Sequence, residues 1–209
     1  MPKTKVVSES QEGKLVGTYS TGKEQHLHKT CMLEDYENFL TADDSHIMMW
    51  NLERPGKKEV YSLVDYNRNK CQSGEERILS MSASATTSTF CYTTSSGYVR
   101  ICDLRESSNF SSRPSAEFSV KRQKSYGLEI FNSQICQASD AKFIPNSENF
   151  VLSRDYLSVK LWDVRTASSS SSSSMMCVDQ GKSATVAPVW SAQVTDYLEK
   201  NLADLYGNG

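Results

Sequence analysis

RDYLSVKLWDVR, residues 154–165, opens on a charged turn, alternates apolar and polar side chains, and closes on Trp162 and Asp163. Alternation with a period of two marks a β-strand with one buried face. One such strand is compatible with many folds, whereas a repeated one is not. Two further segments align with it without gaps: DDSHIMMWNL (43–52) and SSGYVRICDL (95–104) stand against DYLSVKLWDV (155–164). Each starts as a turn and carries Ile47, Val99 or Val159 at its fifth position. Trp50, Cys102 or Trp162 follows at the eighth, and Asn51, Asp103 or Asp163 at the ninth.

A second strand precedes each segment at a matching offset: ENFLTA, STFCYTT and ENFVLSR. Before these come HLHKTCML, RILSMSASA and QICQASDAKFIP, the last closing on the turn-forming pair Pro145–Asn146. Each unit reads strand, turn, strand, turn, strand, with the Trp–Asp element third. Three units in register set the chain apart from a generic β-sandwich and predict an all-β fold of antiparallel four-stranded blades, a WD-repeat β-propeller. The spacings, 52 residues from Trp50 to Cys102 and 60 from Cys102 to Trp162, exceed the roughly 40–45 of a plain WD repeat. The excess falls in polar connections 53–74 and 105–133, the candidate binding loops. A closed propeller needs about four to eight blades, and three would leave two sheet edges open. A part of a larger ring is therefore expected.

The division along the chain follows: a polar N-terminal segment over 1–23, three WD-like blades over 24–166, and a Ser-rich insertion over 167–189. Residues 168–174 are all serine, and the insertion has too little apolar surface to offset the entropy of ordering it, so it is expected to be disordered. Residues 190–209 are either the entry to another blade or a short amphipathic helix, with Val194, Tyr197, Leu198 and Leu205 near helical spacing.

With 209 residues, 38% of them hydrophobic, and a formal charge of −2, the chain has no basic field to suggest nucleic acid. No apolar run is long enough to cross a membrane, and MPKTKVVSESQEGK has no apolar signal region. The six cysteines (31, 71, 91, 102, 136 and 177) form no Cys-x-x-Cys pair. They read as reduced, core-filling thiols of a cytoplasmic or nuclear protein.

Catalytic patterns are missing. There is no phosphate-cradling glycine motif and no nucleophile elbow. His26 and His28 could share a strand face, but no third or fourth ligand is spaced to complete a zinc site. His46, leading into a Trp-ended strand, reads as a turn-to-strand hydrogen-bonding group. The expectation is a protein that is not an enzyme and uses no cofactor or metal. Acidic turns carry more information. Asp43 and Asp44 are consecutive in a strand-to-strand turn, and Glu75 with Glu76 open the next unit. One aspartate would cap its turn. Together such residues on one face would attract basic partner segments and raise their on-rate. Tyr126, in the basic stretch SVKRQKSYG (119–127), offers an aromatic anchor.

The wording of these segments adds to their periodicity. FLTADDSHIMMWNLE, TTSSGYVRICDLRES and above all LSRDYLSVKLWDVR, in that order, resemble the WD-repeat B regulatory subunits of the serine/threonine protein phosphatase 2A. VTDYLEKNLADLY is similar to the segment that follows the RDYLSVKLWD blade there. The resemblance covers roughly residues 24–166 and 190–206, blades three to five and the entry to the sixth of a seven-bladed ring. It implies a non-catalytic subunit that joins phosphatase scaffold (A) and catalytic (C) subunits and presents phosphoserine and phosphothreonine substrates on an acidic face. Carried over by motif, Asp43 and Asp44 of TADD fall in that groove, Glu75 and Glu76 in its next acidic turn, and Tyr126 of SYGLEI at an aromatic position. Trp50, Asp103, Trp162 and Asp163 would build the blades. Where the family has leucine after its paired glutamates this chain has Arg77, and the Ser-rich insertion is foreign to it. The reading of a different class is a propeller scaffold assembling an unrelated complex.

Overall fold

Period-two patterning is realised as three antiparallel four-stranded sheets. A computed structural model describes residues 15, 17–20, 26–55, 61–66, 76–105, 114–120, 137–168 and 186–193. The first sheet is β1 (Lys29–Met32), β2 (Asn38–Ala42), β3 (His46–Asn51) and β4 (Tyr61–Asp65). The second is β5 (Ile78–Ala83), β6 (Thr89–Thr94), β7 (Tyr98–Asp103) and β8 (Ala116–Ser119). The third is β9 (Asp140–Phe143), β10 (Phe150–Arg154), β11 (Ser158–Asp163) and β12 (Trp190–Gln193), with the single helical turn α1 (Val164–Ser168) after β11. In every sheet the strands pair in chain order, so each is a simple meander.

The sheets stack face to face, with β5 packed against both β1 and β9. Two apolar layers result. Leu40, Ile47, Val64, Ile78, Phe90, Tyr92 and Cys102 fill the layer between the first and second sheets. Cys91, Val99, Ile101, Phe118, Val151 and Trp162 fill the layer between the second and third. Along β6 the side chains alternate between layers, Phe90 and Tyr92 into one and Cys91 into the other. The middle sheet is thus buried on both faces, and β6 carries no polar face to solvent. Removing a buried aromatic such as Phe118, which stacks on Trp162 at 5.0 Å between ring centroids, would cost about 3–5 kcal/mol.

Sequence equivalence becomes geometric equivalence at the third strands. Leu52, Leu104 and Val164, each following the Trp–Asp position, donate their N–H to the carbonyls of Glu37, Ser88 and Asn149, all at 2.8 Å. Asp103 and Asp163 fold back on the residue two ahead. Each accepts from the backbone N–H of Arg105 or Arg165, at 2.9 and 3.0 Å, and from its guanidinium. These hydrogen bonds to Arg105 and Arg165 hold both carboxyls below the usual carboxylate range. Asn51 accepts from Glu53 N–H at 3.1 Å in the same way.

Two details differ from the sequence reading. The connections 53–74 and 105–133 contain the fourth strands β4 and β8 and are not loops throughout. Trp190–Gln193 completes the third sheet, pairing Leu161 with Trp190 and Ser158 with Gln193, and does not open another blade. The cause is common to both: long polar insertions separate these short outer strands from their partners, and edge strands of four or five residues carry little patterning. Most of the Ser-rich segment, and the helical stripe after residue 193, lie outside the described residues.

Candidate functional site

One end of the three sheets carries the candidate docking residues, and backbone hydrogen bonds stitch that end together. Tyr66 N–H donates to Ser45 C=O at 3.0 Å and Ile78 N–H to Asp44 C=O at 2.8 Å. Ser95 N–H donates to Arg77 C=O at 2.8 Å, Val120 N–H to Gly97 C=O at 2.9 Å, and Ser139 N–H to Arg154 C=O at 2.9 Å. The β2–β3, β6–β7 and β10–β11 turns are thereby held beside the entries to β5 and β9.

Asp43 caps the β2–β3 turn. Its Oδ1 accepts from Ser45 N–H at 2.7 Å and His46 N–H at 2.6 Å, and its side chain is buried. His46, equally buried, has Nδ1 3.2 Å from Asp43 and Nε2 3.4 Å from Asp65 of β4. Asp155 repeats the arrangement in the third sheet, accepting from Leu157 and Ser158 N–H at 2.8 and 2.5 Å. Lys160 Nζ lies 2.5 Å from its Oδ2 and also donates to Val120 C=O at 3.0 Å. Burial pushes the Asp155 carboxyl up, but the bonds from Lys160 and Ser158 outweigh it and hold the pKa below 3.8. The middle sheet has Ser95 where the others have aspartate. There Gly97, at φ 81°, supplies the left-handed turn, and Thr94 Oγ1 accepts from Tyr98 N–H at 3.2 Å.

Asp44 points the other way from Asp43. Its side chain is 63% exposed, with His28 Nε2 3.6 Å from Oδ1. Glu76 is held: Arg100 Nη1 lies 3.2 Å from its Oε2, and Glu76 Oε1 is buried without a hydrogen-bond partner. Arg100 extends from β7 and also binds Glu117 of β8 through Nε at 2.6 Å. It bonds the Tyr66 hydroxyl and lies over the Tyr98 ring at 5.4 Å. Burial works against this guanidinium charge, while the phenol oxygens of Tyr92 and Tyr66 and the carboxylates of Glu117 and Glu76 raise its pKa. Burial pushes Tyr66 up to about 12. Through Tyr66, the residue after β4, this cluster joins the first sheet to the second.

Of the five docking residues expected from the sequence, the structure brings Asp43, Asp44 and Glu76 to one end; Glu75 and Tyr126 lie outside the described residues. Arg100 is not among those five. Its mark in the sequence is a cation inside the strand YVRICD, directly opposite Glu117. Burial pushes the Cys31 thiol up to about 11 and that of Cys91 higher still, which disfavours the reactive thiolate at both. Among the described residues no group of three His, Cys, Asp or Glu could hold a metal.

Known structures share the fold. The chain superposes on the WD40 repeats of RRP9 and on U3-55K with a TM-score of 0.50 for each, at 17% and 16% identity, covering 70% of this chain and 38% of either. The three sheets are propeller blades. No protein-family model matches the chain. Among curated proteins, it is 32% identical over 191 residues to the alpha isoform of the 55 kDa B regulatory subunit of serine/threonine protein phosphatase 2A from Arabidopsis thaliana, covering 91% of this chain and 33% of that protein. It is 29% identical to the beta isoform from Carassius auratus and 29% identical to the 55 kDa regulatory subunit of the same phosphatase from Drosophila melanogaster, again over 91% of this chain. The chain spans about a third of the length of these relatives. Across nine-tenths of its own length, this chain is similar to the 55 kDa B regulatory subunits of protein phosphatase 2A.

Proposed function

We propose that this chain acts as a non-catalytic, substrate-targeting element of protein phosphatase 2A. It associates with the phosphatase scaffold and catalytic subunits and presents phosphoserine or phosphothreonine substrates on the end of the blades that carries Asp44. The observation behind this reading is the match, over 91% of the chain, to proteins named as regulatory subunits of that phosphatase. The geometry supports a division of labour within TADD. Asp43 is consumed by its turn, while Asp44 offers a carboxylate to solvent, where it can steer a basic segment.

Asp44→Lys tests this reading. Because the side chain is exposed, the substitution should leave the thermal midpoint within about a degree or two. Affinity for a basic substrate segment, measured by titration in low salt, should fall several-fold, and the difference should shrink at high ionic strength. Unchanged affinity would remove Asp44 from the docking face.

A further inference from the structure

Two consecutive charged pairs on the docking end divide in the same way. In Asp43–Asp44 the first residue is buried in its own turn and the second is exposed. In Glu76–Arg77 the first is bound by Arg100 and the second is exposed. What reaches solvent is thus one anion and one cation, although three of these four residues are acidic. The two outward residues are also neighbours. Ile78, next to Arg77, donates its N–H to Asp44 C=O at 2.8 Å. Arg77 is fixed from its other side: its N–H donates to Ser95 Oγ at 2.9 Å, and its carbonyl accepts from Ser95 N–H at 2.8 Å. Backbone bonds on both sides set where the guanidinium emerges. Among the described residues Arg77 forms no ion pair, so its donors remain available.

A purely basic ligand segment meets attraction at Asp44 and repulsion at Arg77, which lie one hydrogen-bonded residue apart. A ligand carrying an anionic side chain beside its basic one meets attraction at both, and like-charge juxtaposition is what suppresses wrong partners. Guanidinium is suited to such an anion because its fork matches carboxylate and phosphate oxygens. We infer that Asp44 and Arg77 form a dipolar docking pair, and that Arg77 makes this face select partner segments with adjacent basic and anionic side chains. The inference rests on the docking reading proposed above and narrows its ligand class.

Three synthetic peptides test it against the full chain by fluorescence anisotropy. They share an Arg-Lys pair followed by glutamate, phosphoserine or glutamine. The wild-type chain should bind the glutamate peptide about threefold to fivefold more tightly than the glutamine peptide, the range of one exposed charge pair. A larger gain with phosphoserine would identify phosphate as the preferred anion. Arg77→Leu should abolish the preference and tighten binding of the glutamine peptide, Arg77→Lys should keep most of it, and Asp44→Asn should weaken all three. Equal binding of the anionic and glutamine peptides, with Asp44→Asn still weakening both, would overturn the role of Arg77 and leave the docking reading intact. Failure of every peptide to bind would overturn both.

Discussion

The indole N–H groups of Trp50 and Trp162 each end on a hydroxyl nine residues earlier, Thr41 Oγ1 and Ser153 Oγ, both at 2.7 Å. All four residues are buried, so each bond satisfies a donor that water cannot reach. The middle blade breaks the pair. Cys102 stands at the tryptophan position, and Thr93, nine residues before it, keeps a fully buried hydroxyl with no hydrogen-bond partner. Thr41 and Thr93 therefore occupy equivalent positions with opposite energetics. Thr41→Val should destabilise by about 1–3 kcal/mol because it orphans the Trp50 N–H, and Ser153→Ala should do the same to Trp162. Thr93→Val should be neutral or stabilising, since it removes an unsatisfied polar group without changing shape. Urea unfolding of the three variants measures this; a Thr93→Val loss as large as that of Thr41→Val would contradict it.

Among the elements, the β10–β11 turn at this end is tied by a buried ion pair between Asp155 and Lys160. Asp155 carries a lowered pKa because Lys160 and Ser158 bond its ionised form, outweighing burial. A carboxyl whose folded pKa is depressed contributes stability that is present in full above its unfolded value, near 3.8. That stability is lost as pH falls through the folded value. Asp155→Asn should thus be destabilising at about pH 7 and lose progressively less against wild type below about pH 4, read from thermal midpoints across pH. A difference that stays constant with pH would show that the turn owes nothing to ionisation. The third strands and their turns are legible in the sequence because their patterning is local: alternation, a Trp–Asp ending, and Asp or Gly where the turn requires them. The fourth strands are not. Tyr61–Asp65, Ala116–Ser119 and Trp190–Gln193 are short, follow polar insertions, and are identified only by pairing with β3, β7 and β11. The candidate site is legible to the level of residue type, since TADD marks an acidic turn. Asp43 is held within its own turn by Ser45 and His46, a local arrangement, whereas Glu76 is held by Arg100 from β7, a tertiary contact that local pattern does not encode.

For the whole molecule, the middle blade is the structural centre. Its two faces form parts of both apolar layers, and it bonds to both neighbours, through Ser88 to Glu34 at 2.7 Å and through Ser80 to Asp140. The proposed docking end is assembled only when these blades stack, because Asp44 comes from one blade and Arg77 and Ser95 from the next, joined by the backbone bond from Ile78 to Asp44. The resemblance of RDYLSVKLWDVR to a phosphatase regulatory protein then has a physical counterpart: its tryptophan and aspartate build the blade, and neighbouring turns carry the residues proposed to meet a partner. Association with protein phosphatase 2A is decided by affinity purification of the tagged chain from cells, with immunoblots for the phosphatase scaffold and catalytic subunits. Both subunits should co-purify with the chain, and Asp44→Lys should leave their recovery unchanged. A folded chain that recovers neither subunit would contradict the proposed role.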